Sequence, residues 1–321
     1  MTLAASKMHS CIVIADDHGP DWAPAVHGDA QPRPVQYSRL GTSSTLLQKA
    51  LIRASKIARP SQISVTVLEE DREFWESSLW FVPLANRFVS DNRATSELSR
   101  AAAMLSIAAK WPSSIVTVLP ARCYVIQEWI LSAALKEAMH CLPGVKEGII
   151  TLGMRDMEEG IDEDYFVVGR APRGPGFTIQ GIARRPVSWI ARSLQGQGAM
   201  VASGIMIGYA GAFAAYISAQ WPGLTLKLNR LAAAAAAVGE ECEVPSSLQR
   251  GVPNTILRSL RCHPPSLAQR VFRVSHCGWS SLKSPRAVAR VSTFLANSAD
   301  APHSAPNWIN PSARAATEDL L

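Results

Sequence analysis

The sequence predicts an α/β fold built on a mixed, mostly parallel sheet with helices on both of its faces. Short continuous apolar runs alternate with patterns of helical spacing, and this order requires crossover connections between parallel strands. The runs are rich in Val and Ile without polar alternation, as in strands that are buried on both faces. A chain of 321 residues, 47% apolar and 18% charged, is long enough to bury a large core.

The first half of the chain alternates predicted strands and helices. The helix predicted over residues 44–58 has one apolar face, with Ser43 or Ser44 as its N-cap. That face consists of Leu46, Leu47, Ala50, Leu51, Ala54 and Ile57. The predicted strands are 11–15, 63–68, 115–119 and 148–153, and the other predicted helices are 97–110 and 128–141.

The second half is more mixed. Residues 199–217 lack a formal charge, and a membrane span is one interpretation; a buried strand followed by a buried helix is favoured because glycines interrupt the stretch. The sequence indicates a domain over residues 1–292 and a poorly ordered tail over 293–321, rich in Pro, Ser, Ala and Asn. Predicted strands are 165–168, 177–182 and 204–208, and predicted helices are 186–194, 212–220 and 226–238, the last ended by Gly239.

Charge and cysteine usage limit the function classes. A formal net charge of +6 is typical of a solvated basic surface at this density, so we predict neither a nucleic-acid partner nor a membrane partner. The six cysteines form no C-x-x-C pair, which argues against a zinc module or a disulfide framework. Free thiols and an N-terminus without a long apolar core favour a cytoplasmic protein.

Several short motifs occur in a familiar order. They are Pro34-Val35-Gln36-Tyr37, Arg93-Ala94-Thr95, Leu119-Pro120, Thr151-Leu152-Gly153, Arg185-Pro186, Ser203-Gly204 and Gly278-Trp279-Ser280. Over roughly residues 10–292 this order resembles the mannose-1-phosphate guanylyltransferases of the nucleotidyltransferase superfamily. The resemblance implies a Rossmann-like, glycosyltransferase-A-like nucleotidyltransferase fold, with a ligand cleft at the carboxyl ends of the strands.

The same resemblance implies a reaction and a set of contacts. GTP and mannose 1-phosphate would give GDP-mannose, for polysaccharide synthesis, and pyrophosphate, with Mg²⁺ as cofactor. GTP or GDP-mannose would then be the bound partner. The positions implied for nucleotide binding are Gly19, Pro24, Gln36, Arg93, Thr95, Pro120 and Arg122, and those for sugar binding are Tyr165, Arg184, Arg185, Ser203 and Gly204.

Charged positions of the family pattern are nevertheless substituted. Asp16 and Asp17 replace the paired glycines of the phosphate loop, and Asp21 replaces its arginine, so three carboxylates would face a triphosphate. Val35 stands at the family's lysine, and Arg122 and Ser281 stand at its two metal-binding aspartates. Because Mg²⁺ is normally held by carboxylates and arginine has no free lone pair, we expect no metal site. The chain is therefore interpreted as a divergent, catalytically degenerate member.

Other interpretations of these residues stay open at this point. Asp16, Asp17, His18 and Asp21 form either a new metal site or a solvated acidic loop. Arg122, Arg184 and Arg185 either hold a phosphate without metal or are surface arginines.

Cys123, beside Arg122, is a candidate for a lowered thiol pKa. Four tryptophans at element ends, Trp111, Trp129, Trp189 and Trp221, are predicted packing anchors. For the function, three hypotheses remain: an active transferase, a non-catalytic nucleotide-binding module, and a regulatory protein that pairs with an active homologue or with itself.

Overall fold

The structure is a computed structural model and describes residues 8–17, 33–40, 42–145, 148–154, 163–169, 176–249 and 270–297. His18, Gly19, Asp21 and Pro24 lie outside the described residues, as does the predicted tail from residue 298 onward.

A ten-stranded mixed sheet forms the centre of the fold, and a separate two-stranded sheet lies beside it. The strands are β1 (His9–Ile14), β2 (Ile63–Leu68), β3 (Arg87–Ser90), β4 (Ile115–Pro120), β5 (Cys123–Val125), β6 (Ile149–Met154), β7 (Tyr165–Val168), β8 (Phe177–Ala183), β9 (Met200–Tyr209), β10 (Cys242–Val244), β11 (Arg270–Arg273) and β12 (Trp279–Ser281). The large sheet has the order β10-β3-β2-β1-β4-β9-β6-β11-β8-β7, and β12 pairs with β5.

The direction of pairing divides the large sheet into two parts. Strands β10, β3, β2, β1 and β4 are parallel to one another, as is the pair β6–β11. All the pairings made by β9 and β8, and those of β7, are antiparallel. The predicted α/β class and mixed sheet are confirmed, and the parallel strands are concentrated on the side of the sheet that runs from β10 to β4.

Eight α-helices accompany the sheets among the described residues: α1 (Leu46–Ser55), α2 (Arg72–Trp75), α3 (Ser96–Lys110), α4 (Glu128–Cys141), α5 (Ser188–Gly196), α6 (Ala210–Gln220), α7 (Pro222–Val238) and α8 (Pro285–Asn297). The predicted cap of α1 is wrong by one residue, because Thr45 caps it: Thr45 Oγ1 accepts from the Gln48 N–H at 3.2 Å, and Gln48 Oε1 accepts from the Thr45 N–H at 2.9 Å. Gly239, with φ +75°, ends α7 as predicted.

Helices cover both faces of the large sheet. Along β1, Cys11 and Val13 pack in one apolar cluster with α1, α4 and α5, whereas Ile12 and Ile14 pack in another with α3, α6 and α7. This alternation follows from the two-residue period of a strand, and it explains why β1 shows no polar face in the sequence.

Helix α8 covers the two-stranded sheet. Val288 and Val291 of α8 pack with Tyr124, Leu282 and Val35 in a third apolar cluster. The predicted boundary between residues 292 and 293 falls inside this helix.

The uncharged stretch 199–217 forms all of β9 and the first part of α6, as favoured over a membrane span. Within the described part of the chain, no helix combines the length and apolarity that crossing a bilayer requires.

Candidate functional site

Most of the described site positions lie along one edge of the large sheet, where β1 and β4 end. We call this the cleft edge. Ile14 and Pro120 are register partners at these ends. Because β9 is antiparallel to β4, its first half reaches the same edge: Gly204 has φ +76°, and a Cβ added to it would lie 3.0 Å from Pro120 Cγ. A side chain at residue 204 would therefore strain the backbone and press on the end of β4.

The start of β7 and the end of β8 complete the cleft edge. Tyr165 pairs with Val201 of β9 and with Ala183 at the end of β8, so Arg184 and Arg185 follow at this edge. A cleft at the carboxyl ends of the parallel strands is the usual ligand position in an open α/β sheet.

Asp16, the first substituted glycine position, is part of the core. Its carboxylate accepts from Arg100 Nη2 at 3.1 Å and Nε at 3.3 Å, and both side chains are nearly inaccessible. Burial raises the pKa of Asp16 against the opposing effect of the Arg100 charge. The expectation that Asp16 faces a triphosphate is wrong, because α3 supplies a buried arginine that takes up its charge.

Asp17, the next residue, pairs with Arg122 instead. Arg122 Nη2 lies 3.1 Å from Asp17 Oδ2; the arginine side chain is 7% exposed and the aspartate side chain 31%. Arg122 Nη1 is buried and has no hydrogen-bond partner among the described residues. The cleft edge thus holds a buried guanidinium whose Nη1 donor is unused among the described residues, and a partly solvated carboxylate that is its counterion.

The two positions of the family's metal-binding aspartates are neighbours here. Ser281 is the register partner of Cys123, and the Leu282 N–H donates to the Arg122 carbonyl at 3.3 Å. The Arg122 guanidinium cannot ligate Mg²⁺, and the Ser281 hydroxyl by itself supplies one neutral oxygen where the ion prefers carboxylates. The described residues contain no group of three or more His, Cys, Asp or Glu placed to hold a metal ion.

The two described residues of the predicted new metal site, Asp16 and Asp17, form ion pairs with arginines. Asp16 is committed to Arg100 and Asp17 to Arg122. Two arginine partners oppose a cation at this loop, so the part of that hypothesis which the structure describes lacks support.

The segment around Val35 contacts the residue that follows β1. Val35 is buried in the apolar cluster under α8, which accounts for an apolar residue at the family's lysine position. Gln36 Nε2 donates to the Ala15 carbonyl at 3.0 Å, and the Tyr37 hydroxyl lies 3.3 Å from the same oxygen. Gln36 therefore positions the end of β1.

The two positions after β3 that the resemblance predicts for nucleotide binding, Arg93 and Thr95, have partners within the protein. Arg93 Nε lies 2.8 Å from Glu70 Oε1, and both side chains are about half exposed. Thr95 is buried, and its hydroxyl donates to the Asn92 carbonyl at 2.8 Å.

The positions that the resemblance predicts for sugar binding are of two kinds. Tyr165 is fully buried with its hydroxyl accepting from Gln195 Nε2 at 3.2 Å, and the Ser203 hydroxyl donates to the Leu152 carbonyl at 2.7 Å. These two side chains are buried and hydrogen-bonded inside the protein, so they belong to the core. Arg184 and Arg185 are exposed, and Arg185 has a left-handed backbone, φ +39°.

Two anchoring groups at this end were missed by sequence reasoning. Asp164 Oδ1 accepts from the Arg185 N–H at 3.2 Å, and Asp164 O accepts from the Ala202 N–H at 2.8 Å. Glu163, nearly buried, pairs with Lys283 at 2.8 Å across a separation of 120 residues. Neither has a motif of its own, so spacing along the chain could not identify them.

Cys123 belongs to a buried polar cluster behind Arg122. Arg53 holds both carboxylate oxygens of Glu128, at 2.7 Å and 2.9 Å, and its Nη1 lies 3.5 Å from Cys123 Sγ. Burial raises the pKa of the Cys123 thiol despite the nearby arginine, so the prediction of a lowered pKa is wrong. The five described cysteines, including Cys123, are free thiols.

The tryptophan prediction holds in part. Trp221 is buried and Trp111 packs against the core, whereas Trp129 and Trp189 are each 71% exposed. The latter two are not packing anchors within this chain.

No protein-family model and no curated protein matches the chain. Solved structures do share its fold. The chain is similar to mannose-1-phosphate geranyltransferase from Thermus thermophilus, with a TM-score of 0.65 and 19% identity over 92% of this chain and 81% of that one. It is also similar to mannose-6-phosphate isomerase from Helicobacter pylori, with a TM-score of 0.60 and 14% identity over 86% of this chain and 100% of that one.

A third similar structure is a putative glucose-1-phosphate thymidylyltransferase from Bacillus anthracis, with a TM-score of 0.54 and 12% identity over 91% of this chain and 97% of that one. At these identities the similarity shows the fold alone. The chain has the α/β fold of nucleotidyltransferase structures, and its activity has to be argued from the cleft edge.

Proposed function

We propose that this chain is a guanylyltransferase-like protein of the mannose 1-phosphate type that binds a nucleotide or sugar nucleotide without metal-dependent turnover. The Asp17–Arg122 ion pair, 3.1 Å long, is the observation that carries the proposal. It puts a cation at the cleft edge where nucleotidyl transfer with Mg²⁺ needs a carboxylate.

Magnitudes favour binding over catalysis. Removal of a single preorganised electrostatic contact typically lowers a rate by about 10²–10³. Here the position at Arg122 has the wrong sign and Ser281 is a buried hydroxyl. The cleft edge itself is retained: Gly204 still approaches Pro120 closely, and Gln36 still fixes the end of β1.

Two measurements on the full chain test the proposal. The first is pyrophosphate release from GTP and mannose 1-phosphate with Mg²⁺ at high protein concentration, where we expect no turnover. The second is calorimetric titration with GDP-mannose, with and without a chelator, where we expect binding in both. Turnover would refute the loss of catalysis, and silence in both titrations would refute the retained cleft.

A reversion variant sharpens the catalytic half of the proposal. Asp21→Arg, Arg122→Asp and Ser281→Asp together restore the family pattern at three positions. We expect the triple variant to stay weak, because Asp16 and Asp17 still replace the paired glycines that let the backbone approach the triphosphate. Family-like pyrophosphate release from this variant would contradict that expectation.

A second candidate function is a regulatory partner, either of an active homologue or of a second copy of this chain. The observation in its favour is the exposure of Trp129 and Trp189, since tryptophan is enriched at the centres of protein interfaces. Sedimentation of wild type against a Trp129→Ala/Trp189→Ala variant tests self-association, and co-purification from the native host tests a homologous partner. A strictly monomeric chain that captures no homologue would eliminate this candidate.

A further inference from the structure

The guanidinium of Arg122 is an unusual group to find buried at the cleft edge. It is 7% exposed, and among the described residues its Nη1 lacks a hydrogen-bond acceptor. A buried charge is tolerated only when it is paired, and a guanidinium presents five N–H donors in a planar fork. Its counterion here is Asp17, through a contact at Nη2.

The two partners differ in what separation would cost them. Asp17 is 31% exposed, so its carboxylate is already partly hydrated and can be solvated further if the pair separates. Arg122 follows the end of β4, its carbonyl is held by the Leu282 N–H, and its side chain is enclosed. Separation would therefore cost the enclosed Arg122 more than it would cost the partly solvated Asp17.

We infer that Arg122 forms a metal-free phosphate site, and that Asp17 is an internal anion which an incoming phosphate displaces. Phosphate matches the guanidinium fork with two parallel N–H···O bonds, so it can use Nη1 as well as Nη2. The added hydrogen bond favours the exchange. This inference rests on the proposed function, and it adds which group takes the phosphate and what competes for it.

Three other ion pairs described at the cleft edge join charged groups to one another and not to Asp17 or Arg122. Asp16 would be a second competing carboxylate, but Arg100 neutralises it in the core. Glu163 is paired with Lys283, and Arg93 with Glu70. Among the ion pairs described at the cleft edge, Asp17–Arg122 differs from the other three, because its cation is enclosed and its anion is partly solvated.

The mechanism predicts an inverted dependence on metal. Mg²⁺ binds phosphate oxygens and lowers the charge that Arg122 would recognise, and the guanidinium repels the ion. We therefore expect excess Mg²⁺ to weaken binding rather than to support it.

Inorganic pyrophosphate is the probe, because it reports on the phosphate site without a base or a sugar. In calorimetry with chelator, Asp17→Asn should bind pyrophosphate about 5- to 10-fold more tightly than wild type, since the competing charge is gone. Arg122→Gln should bind at least about 10-fold more weakly, and Arg122→Lys should lie between, because lysine keeps the charge and loses the fork. The matched control is Arg59→Gln, which changes an exposed arginine before β2, at the opposite edge of the sheet. This variant should bind pyrophosphate as tightly as wild type.

The outcomes separate this inference from the proposed function. The inference is overturned if GDP-mannose binds equally well to wild type and Arg122→Gln, or if Mg²⁺ strengthens pyrophosphate binding. In either case the proposed binding of a sugar nucleotide is not contradicted. If wild type binds pyrophosphate through Arg122 but not GDP-mannose, the inference stands and the proposed ligand falls. Thermal melting checks each variant; should Arg122→Gln unfold, Asp17→Asn decides alone, and unchanged or weaker pyrophosphate binding by it overturns the inference.

Discussion

Asp16 and Asp17 are adjacent in sequence, carry the same side chain and each pair with an arginine, yet their environments differ. Asp16 and Arg100 are both enclosed under α3, whereas Asp17 remains 31% exposed beside Arg122. The same ion-pair chemistry therefore has two roles. The enclosed pair belongs to the core, and the half-solvated pair at the cleft edge is the one for which we infer an exchange of its anion for a ligand.

The largest effect should come from breaking the enclosed pair. Asp16→Ala leaves the Arg100 charge buried without a counterion and should lower the free energy of unfolding by about 3–5 kcal/mol, measured by urea denaturation. A double variant, Asp16→Leu/Arg100→Met, removes both charges and should recover most of that loss. A single variant as stable as wild type would show that Arg100 reaches solvent when it is unpaired.

An intermediate effect is expected at Arg53, whose partner Glu128 is 33% exposed. Arg53→Ala should cost about 2 kcal/mol of unfolding free energy, less than the loss at Asp16, because Glu128 can be partly solvated. Arg59→Ala, at an exposed arginine, should change stability by no more than about 0.5 kcal/mol. Equal losses at residues 53 and 59 would mean that the bidentate contact contributes nothing.

The same pair should leave a signature in the pH dependence of stability. Burial by itself would raise the pKa of Glu128, but the Arg53 charge and its hydrogen bonds lower that pKa below its ordinary value. A lowered carboxyl pKa stabilises the fold above the unfolded pKa, about 4.3, and this contribution is lost as the pH falls through the folded pKa.

Unfolding free energies of wild type and Glu128→Gln should therefore differ by a constant amount above about pH 5. The difference should shrink on acidification, as denaturant titrations at several pH values would record. A gap that widens toward acid would mean that the sign of the pKa shift is reversed.

The smallest effect on stability is expected at Asp17. Asp17→Asn should lower the free energy of unfolding by only about 1 kcal/mol, because the asparagine oxygen can still accept a hydrogen bond from Arg122 and the charge that is lost was partly exposed. A loss as large as that of Asp16→Ala would erase the distinction between the two aspartates and place Asp17 in the core as well.

Much of the fold could be predicted because local patterns coincide with local structure. The strand 63–68 and the helix 128–141 were predicted to the residue, since continuous β-branched residues and helical spacing specify each without help from the rest of the chain. β3 was missed because Arg87 and Ser90 interrupt its apolar pattern, although all four of its residues are buried. β9 was predicted to begin at residue 204 instead of 200, because small residues such as Ala202 become strand only through pairing with neighbouring strands.

The sequence by itself determined the α/β class, several of the strands and helices, and the positions where the charges of the family pattern are changed, since hydrophobic period and turn residues act over short distances. Only the tertiary structure decided which charges meet. Arg100 and Arg122 lie 84 and 105 residues from their aspartate partners, and their pairing follows from α3 and β4 packing against β1. Burial then assigned Asp16 to the core and left Asp17 at the cleft edge, because the cost of an unpaired charge depends on the water that surrounds it.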